Sequence, residues 1–399
     1  MAKKKKQHYV PKFYLKRFAS NDKKIYLYDI EKDTFIFNGR PVPYKDQFYE
    51  NYFYGEDKIW ENRLNDLEQR WDISFSNVIN NNYNNDDIDN IKEFAVYQYG
   101  RTIFQLNLQI ENSAKLTNEL LKIYLTNTNN ENPQVLDMAE KLSKEKAKEN
   151  ITPAKLLNIF QKICDEVNDL EFKHITFDTK ETFISSDNPI TIINPYINNI
   201  GFGIIGLVIL FPLSPNALCI LYDKKIYPKI NLINRVCKNE YIMETLNALF
   251  FVNAKSMIYS INLFSKKLFK QKNRKLWIKN TKYSNVSSIG NKKESFVEIR
   301  SVNIEYDKLP YFFMIDREYW EINSDFRTPV PRKFDADFQR KLRYEYLIIP
   351  NILSDSKIDL LDDQYISNYK REHNSYYLLI MKYWGINKIL QTFIIYFLV

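Results

Sequence analysis

The chain has 399 residues, enough for two or three domains and a sizeable core. Hydrophobic residues make up 45% and aromatics 15%, with 29 Tyr and 27 Phe, a payload for burial that excludes a disordered chain. The 57 Lys and Arg against 49 Asp and Glu leave a net charge of +8, which permits a polyanionic partner without demanding one.

Residues 3–6 are all lysine and lead into QHYVPKFYLKRF, residues 7–18. The basic run has no apolar stretch behind it, so it does not read as a secretory signal. Pro11 is placed to open a helix, which sets His8 just ahead of that helix's amino end. Lys12, Lys16, Arg17 and the lysine run surround it, a field that favours a neutral imidazole or a bound anion. The plainer reading is a histidine that caps the helix or packs on Tyr9.

KKIYLYDIEKDTFIFNG then shows two β-rich runs around a polar turn, an expected hairpin. From about 56 to 168 the pattern is helical. EDKIWENRLNDLEQRWDISFSNVI is amphipathic, DDIDNIKEFAVYQYGRTIFQLNLQI is long and apolar on several faces, and Thr152 with Pro153 opens TPAKLLNIFQKICDEV. The spacing puts Phe94, Gln98, Arg101, Gln105 and Leu108 on one face, so Arg101 is expected to be buried and therefore paired. It serves either as a structural ion pair or as an anion site. The Asn-rich INNNYNNDDIDN and TNTNNENP read as loops.

From about 172 to 262 strands dominate, with one helix in NEYIMETLNALFFVNAKSMIYS. In FISSDNPI a strand ends and Asp187-Asn188-Pro189 turns the chain; this is an ordinary turn, or the partner of Arg101 in a site completed by His8. GFGIIGLVILFPLSPNALCILY is broken by two prolines and reads as two buried strands rather than a membrane span. Cys164, Cys219 and Cys237 are unclustered, with neither zinc nor redox spacing, and imply a reducing, cytoplasmic setting.

SKKLFKQKNRKLWIKNTK, residues 265–282, holds eight Lys and Arg and no acid. Lys266, Lys267, Lys270, Lys272, Arg274 and Lys275 are interleaved with Phe269 and Trp277, a pairing suited to phosphates and stacked bases, or else simply a solvated edge. Residues 285–399 read as a strand-prone appendage ending in the apolar ILQTFIIYFLV, which is too short to span a bilayer and is expected to pack on the protein or on another subunit. No metal motif has diagnostic spacing. Glu61 and Glu68, on one helical face, could join Asp187 around Mg²⁺, or act as ordinary ion-pair partners.

The expected fold is α+β. A core domain over 1–284 combines an N-terminal hairpin and helical bundle with a mixed β-sheet and flanking helix, followed by the appendage. In order, QHYVP, ENRLNDLEQRW, the Arg101 helix, FISSDNP, FPLSP and Asn247 resemble the bacterial domain-of-unknown-function 4238 family over roughly residues 5–262. That resemblance implies a bacterial cytosolic protein and strengthens His8, Arg101, Asp187 and Asn188 as one site, but brings no activity with it. Two functions fit. One is a nuclease, a phosphodiester-cleaving effector in defence or stress, with His8 as acid/base, Arg101 on anionic charge and Asp187 orienting the histidine or a metal. The other is a non-catalytic nucleic-acid-binding or regulatory module in which the same cluster fixes the fold.

Overall fold

The computed structural model describes residues 6–57, 59–127, 132–196, 201–264, 278–287, 294–304 and 310–313, all within one compact unit. The chain opens on a strand: β1 (Lys6–His8) pairs antiparallel with β5 (Tyr49–Asn51), His8 opposite Tyr49. Pro11 is extended (φ −62°, ψ 146°) and caps α1 (Lys12–Arg17), so the helix starts one residue later than expected and His8 belongs to a sheet edge. The expected hairpin forms from β2 (Lys24–Asp29) and β3 (Thr34–Phe35). β4 (Val42–Pro43) also pairs with β2, at Lys24 and Ile25.

The helices are α2 (Ile59–Ile79), α3 (Asn85–Gly100), α4 (Ile103–Asn127), α5 (Pro133–Asn150) and α6 (Pro153–Lys162). Asn84 and Asp87 form a reciprocal capping box at the head of α3, which shortens the expected Asn-rich loop; Thr152 caps α6 as its sequence suggests. The single long helix expected through Arg101 is two. α3 stops at Gly100 with Arg101 as its C-cap (φ −90°, ψ 4°), and the Thr102 hydroxyl accepts from the Gln105 N–H at 3.2 Å to begin α4. A Cβ on Gly100 would stand 2.0 Å from a ring carbon of Phe160, so α3 approaches α6 closely only because this residue is glycine. The resulting elbow places Arg101 and Thr102 side by side at the break.

One sheet runs β11 (Val236–Cys237), β6 (Glu171–Phe177), β10 (Ala217–Tyr222), β9 (Val208–Ser214), β8 (Thr191–Ile193). β11 is parallel to β6 and the other pairs are antiparallel, so the sheet is mixed. In the β9–β10 hairpin every strand residue but Ser214 is buried, which explains the unbroken apolar run in the sequence. A second sheet runs β3–β2–β12–β7, joining the amino-terminal hairpin to β12 (Met257–Ser260) and β7 (Ser185–Ser186). α7 (Glu240–Asn253) packs beside β7 and β8. Helices and sheet share one aromatic core: Phe94 of α3 meets Phe75 of α2 at 4.8 Å, Tyr14 of α1 at 5.4 Å and Phe211 of β9 at 5.6 Å between ring centroids. α1 is thereby wedged between helices and sheet.

The architecture is α+β. β13 (Ile278–Ser287) and β14 (Glu294–Ile304) form an antiparallel hairpin that spans the expected boundary near residue 285. The basic side chains from Lys266 to Trp277 and the apolar carboxy-terminal tail lie outside the described residues. No helix among the described residues is long and apolar enough to cross a membrane.

Candidate functional site

The site is built where β1 crosses the α3–α4 elbow. Arg101 is 2% exposed, and its guanidinium reaches three ways: Nε donates to the Tyr54 hydroxyl at 3.0 Å, Nη2 to the His8 carbonyl at 2.6 Å, and Nη1 lies 2.9 Å from Glu68 Oε1. The Tyr54 hydroxyl donates to the same His8 carbonyl at 3.1 Å. One helical turn earlier, Gln98 Nε2 donates to the Tyr9 carbonyl at 3.0 Å. Two consecutive carbonyls of the HYVP strand are thus gripped by two side chains of the elbow. A buried guanidinium demands an anion, and here Glu68, projecting from α2, supplies it.

The electrostatics divide the cluster. Burial drives the Arg101 pKa down, but Tyr54 and Glu68 outweigh it and the net direction is up, so the residue is a fixed cation. Burial pushes Glu68 up, with help from Glu61 and against Arg101. Burial pushes the Tyr54 hydroxyl up to about 12. His8 moves the other way, to about 4, chiefly by burial and then by the charges of Lys12, Arg101 and Lys6. Its Nε2 lies 3.0 Å from the Lys45 carbonyl, which can only accept, so the proton sits on Nε2 and Nδ1 carries a lone pair. Tyr49 packs against the imidazole at 5.5 Å. The charge of Lys12 lowers the pKa of both His8 and Glu68.

The expected four residues are brought into one neighbourhood but not into one contact. His8 touches Arg101 through its backbone. Asn188 Oδ1 accepts from the Thr102 hydroxyl at 3.5 Å, next to Arg101, while its amide is tied to Asn253. Asp187 lies one step away: it raises the Tyr9 pKa, after burial, but has no hydrogen bond to Arg101 or His8. Its carboxylate instead accepts from Lys255 N (2.9 Å), Ser256 N (2.8 Å), Ser256 Oγ (2.6 Å) and Met257 N (3.3 Å). The reason is topological. β12 runs antiparallel to β7, so the turn that precedes β12 folds over the residue that follows β7. Lys45, not Asp187, is therefore the partner of the imidazole, and Glu68, not Asp187, the partner of the guanidinium. Among the described residues no group of three His, Cys, Asp or Glu could hold a metal ion.

Sequence spacing did not point to Tyr54, and it noticed Glu68 only as a carboxylate seven residues from Glu61. Other motif residues have structural work. The Tyr14 hydroxyl donates to the Pro212 carbonyl at 2.7 Å, and Asn247 bridges the Ile184 N–H (3.0 Å) and the Thr182 carbonyl (2.9 Å). Cys164, Cys219 and Cys237 are free thiols.

Fold and site together define an α+β protein whose amino-terminal strand is clamped to a helical elbow by a buried Arg–Glu pair. Residues 6–262 match the family model described as "Protein of unknown function (DUF4238)", and the chain belongs to that family. The matched span contains every residue of the clamp. No curated protein and no solved structure matches the chain.

Proposed function

We propose that the protein is a phosphodiester-cleaving effector that acts on nucleic acid in the bacterial cytoplasm, in defence or stress. One observation carries the reading. The buried Arg101 guanidinium grips the His8 carbonyl and is paired at 2.9 Å with Glu68, whose side chain is 20% exposed, so a fixed positive charge stands on the His8 strand beside a carboxylate that reaches solvent. The His8 imidazole, with its N–H given to the Lys45 carbonyl and a lone pair on Nδ1, stands on the strand that the guanidinium grips. His8 Nδ1 takes a proton from water as its oxygen bonds to phosphorus. Arg101, with Glu68 as its ionised partner, steadies the phosphoryl charge, and the departing ester oxygen takes its proton from water. The three free cysteines suit a reducing compartment.

The test is incubation of the purified protein with RNA, single-stranded DNA and duplex DNA, with and without Mg²⁺. The parent is expected to cleave at least one of them, and folded His8→Ala to lose about 100-fold or more. Undiminished cleavage by a folded His8→Ala variant removes the histidine from the mechanism.

A second reading, a nucleic-acid-binding module without catalysis, is favoured by a different observation: the imidazole's N–H and most of the guanidinium are already engaged inside the protein. It predicts no cleavage under any condition, but binding that weakens steeply with salt. Replacing Lys270, Lys272, Arg274 and Lys275 by Gln is then expected to flatten the slope of log K against log salt by about 3 to 4, since each neutralised phosphate contributes roughly 0.7 to 0.9. Equal slopes for variant and parent assign the segment to solubility.

A further inference from the structure

The turn that follows β3 presents an aromatic ring to water from a backbone that disfavours it. Phe37 (φ 50°, ψ 39°), Asn38 (φ 54°, ψ 35°) and Gly39 (φ 77°) are three consecutive residues in the left-handed region. Glycine takes that conformation freely and asparagine tolerates it, but a phenylalanine is strained there. Packing normally offsets such strain, as at Phe48 (φ 56°), which is 8% exposed. Phe37 is 65% exposed and has no ring partner among the described residues, so the fold gains little from keeping it. Strain of this kind collects at sites that bind or switch.

The turn is fixed from below. Phe35, Tyr28 and Phe264 form a three-ring cluster with centroids 5.2, 5.6 and 5.0 Å apart, and a Cβ on Gly39 would meet the Leu263 side chain at 3.5 Å. The Arg40 N–H closes the turn by donating to the Phe37 carbonyl at 3.1 Å. Its side chain is exposed and enters no ion pair among the described residues. A bare ring and an uncommitted guanidinium therefore stand three residues apart on a rigid turn. The ring suits a flat apolar face and the guanidinium a phosphate. Charge indicates the same kind of partner: Phe264, packed under the turn, runs directly into residues 265–282, with their eight Lys and Arg and no acid, which favours a polyanion. Lys45, whose carbonyl holds the His8 imidazole, is five residues beyond Arg40, so their Cα atoms are at most about 18 Å apart.

We infer that Phe37 stacks on a base of single-stranded nucleic acid while Arg40 takes the adjacent phosphate. This rests on the nucleic-acid target of the reading above, but not on cleavage. Single strands are the form in question because a duplex keeps its base faces inside the stack, whereas an unpaired base offers one to an aromatic ring. Every base has such a face, so the turn selects for strandedness and not for sequence.

The experiment measures binding of the full-length protein to labelled oligo(rU) and to an RNA duplex of equal length across a series of salt concentrations, by fluorescence anisotropy. Cleavage of the same oligonucleotides is followed separately. Phe37→Ala is expected to weaken oligo(rU) binding about tenfold and leave duplex binding unchanged. Its slope of log K against log salt should equal the parent's, because the ring carries no charge, whereas Arg40→Gln should lower that slope by about 0.7. Phe37→Trp is expected to restore the affinity. Phe37→Gly should lose it while melting at the parent's temperature or above, because glycine adopts φ 50° without strain. A ring kept only for the fold would instead lower the melting temperature of both small variants and leave affinity alone. Parental affinity in Phe37→Ala, equal losses on single strand and duplex, or no binding by the parent overturns the inference. So does Phe37-dependent binding to phosphatidylglycerol vesicles in place of oligo(rU), which would assign the turn to a membrane surface. Cleavage with parental affinity in Phe37→Ala sinks the stacking site and spares the nuclease; Phe37-dependent binding without cleavage does the reverse.

Discussion

Acidification from pH 7 towards pH 4 is expected to remove roughly 6 kcal/mol of stability through His8 and His174 alone. Each has an ordinary pKa of 6.5 that the fold lowers to about 4. Burial is the main cause in both; Lys12 and then Arg101 and Lys6 add to it at His8, and Arg235 at His174. A depressed pKa means that the folded state binds the proton less readily than the unfolded chain. The full stability is therefore present above pH 6.5, falls as the pH drops through the interval, and stops falling from these groups below about pH 4. Each shift is worth about 3 kcal/mol. Together they rival the roughly 5–15 kcal/mol by which a domain is stable at all.

His174 is the cleaner probe. It stands on β6 opposite Cys219, is 4% exposed, and neither ring nitrogen has a hydrogen-bond partner. His174→Leu thus loses no hydrogen bond and is expected to unfold in urea much as the parent does at pH 7, yet to exceed it by about 3 kcal/mol at pH 4. Parallel stability curves for parent and variant across that range would show that the imidazole titrates normally in the fold. Carboxylates also contribute to acid unfolding, so the difference between the two proteins, not the absolute loss, is the informative quantity.

What the sequence revealed and what it withheld follow the range of the interactions. Local signals were readable: Thr152 before Pro153 marks the start of α6, and two apolar runs around PLSP mark the β9–β10 hairpin. So was the burial of Arg101, because an arginine on a helix face shared with Phe94 and Leu108 has little water to reach. Its partner was not readable. Choosing between Glu68 and Asp187 requires knowing that α2, rather than the turn after β7, passes the elbow, and that is fixed by the aromatic core formed by Phe75, Phe94 and Phe211. The elbow was also hidden, because Gly100 is a tolerated helix residue until one knows that Phe160 lies against it. The pairing of the amino-terminal hairpin with β12, more than 200 residues later, left no periodic trace in either segment.

Arg101→Ala is expected to cost about 3–5 kcal/mol in urea unfolding at pH 7. The loss is collective. It would strand Glu68 as a half-buried carboxylate without its cation and remove a donor from the His8 carbonyl and another from the Tyr54 hydroxyl. Glu68→Gln alone is also expected to destabilise, since it leaves the guanidinium as a buried charge with no counter-ion. If Glu68 is the anion Arg101 requires, the double variant Arg101→Ala with Glu68→Gln should lose clearly less than the sum of the single losses, by about 1–3 kcal/mol. Asp187→Asn supplies the control, because its carboxylate already caps the turn at 255–257 and its coupling to Arg101 should be near zero. The opposite pattern, additivity with Glu68 and strong coupling with Asp187, would mean that the clamp closes on the SDNP turn instead. Fixing β1 to the elbow is what sets the position of the His8 imidazole. The variant that breaks the Arg101–Glu68 pair therefore loses both the junction of β1 with the elbow and the geometry on which any acid–base role of His8 depends.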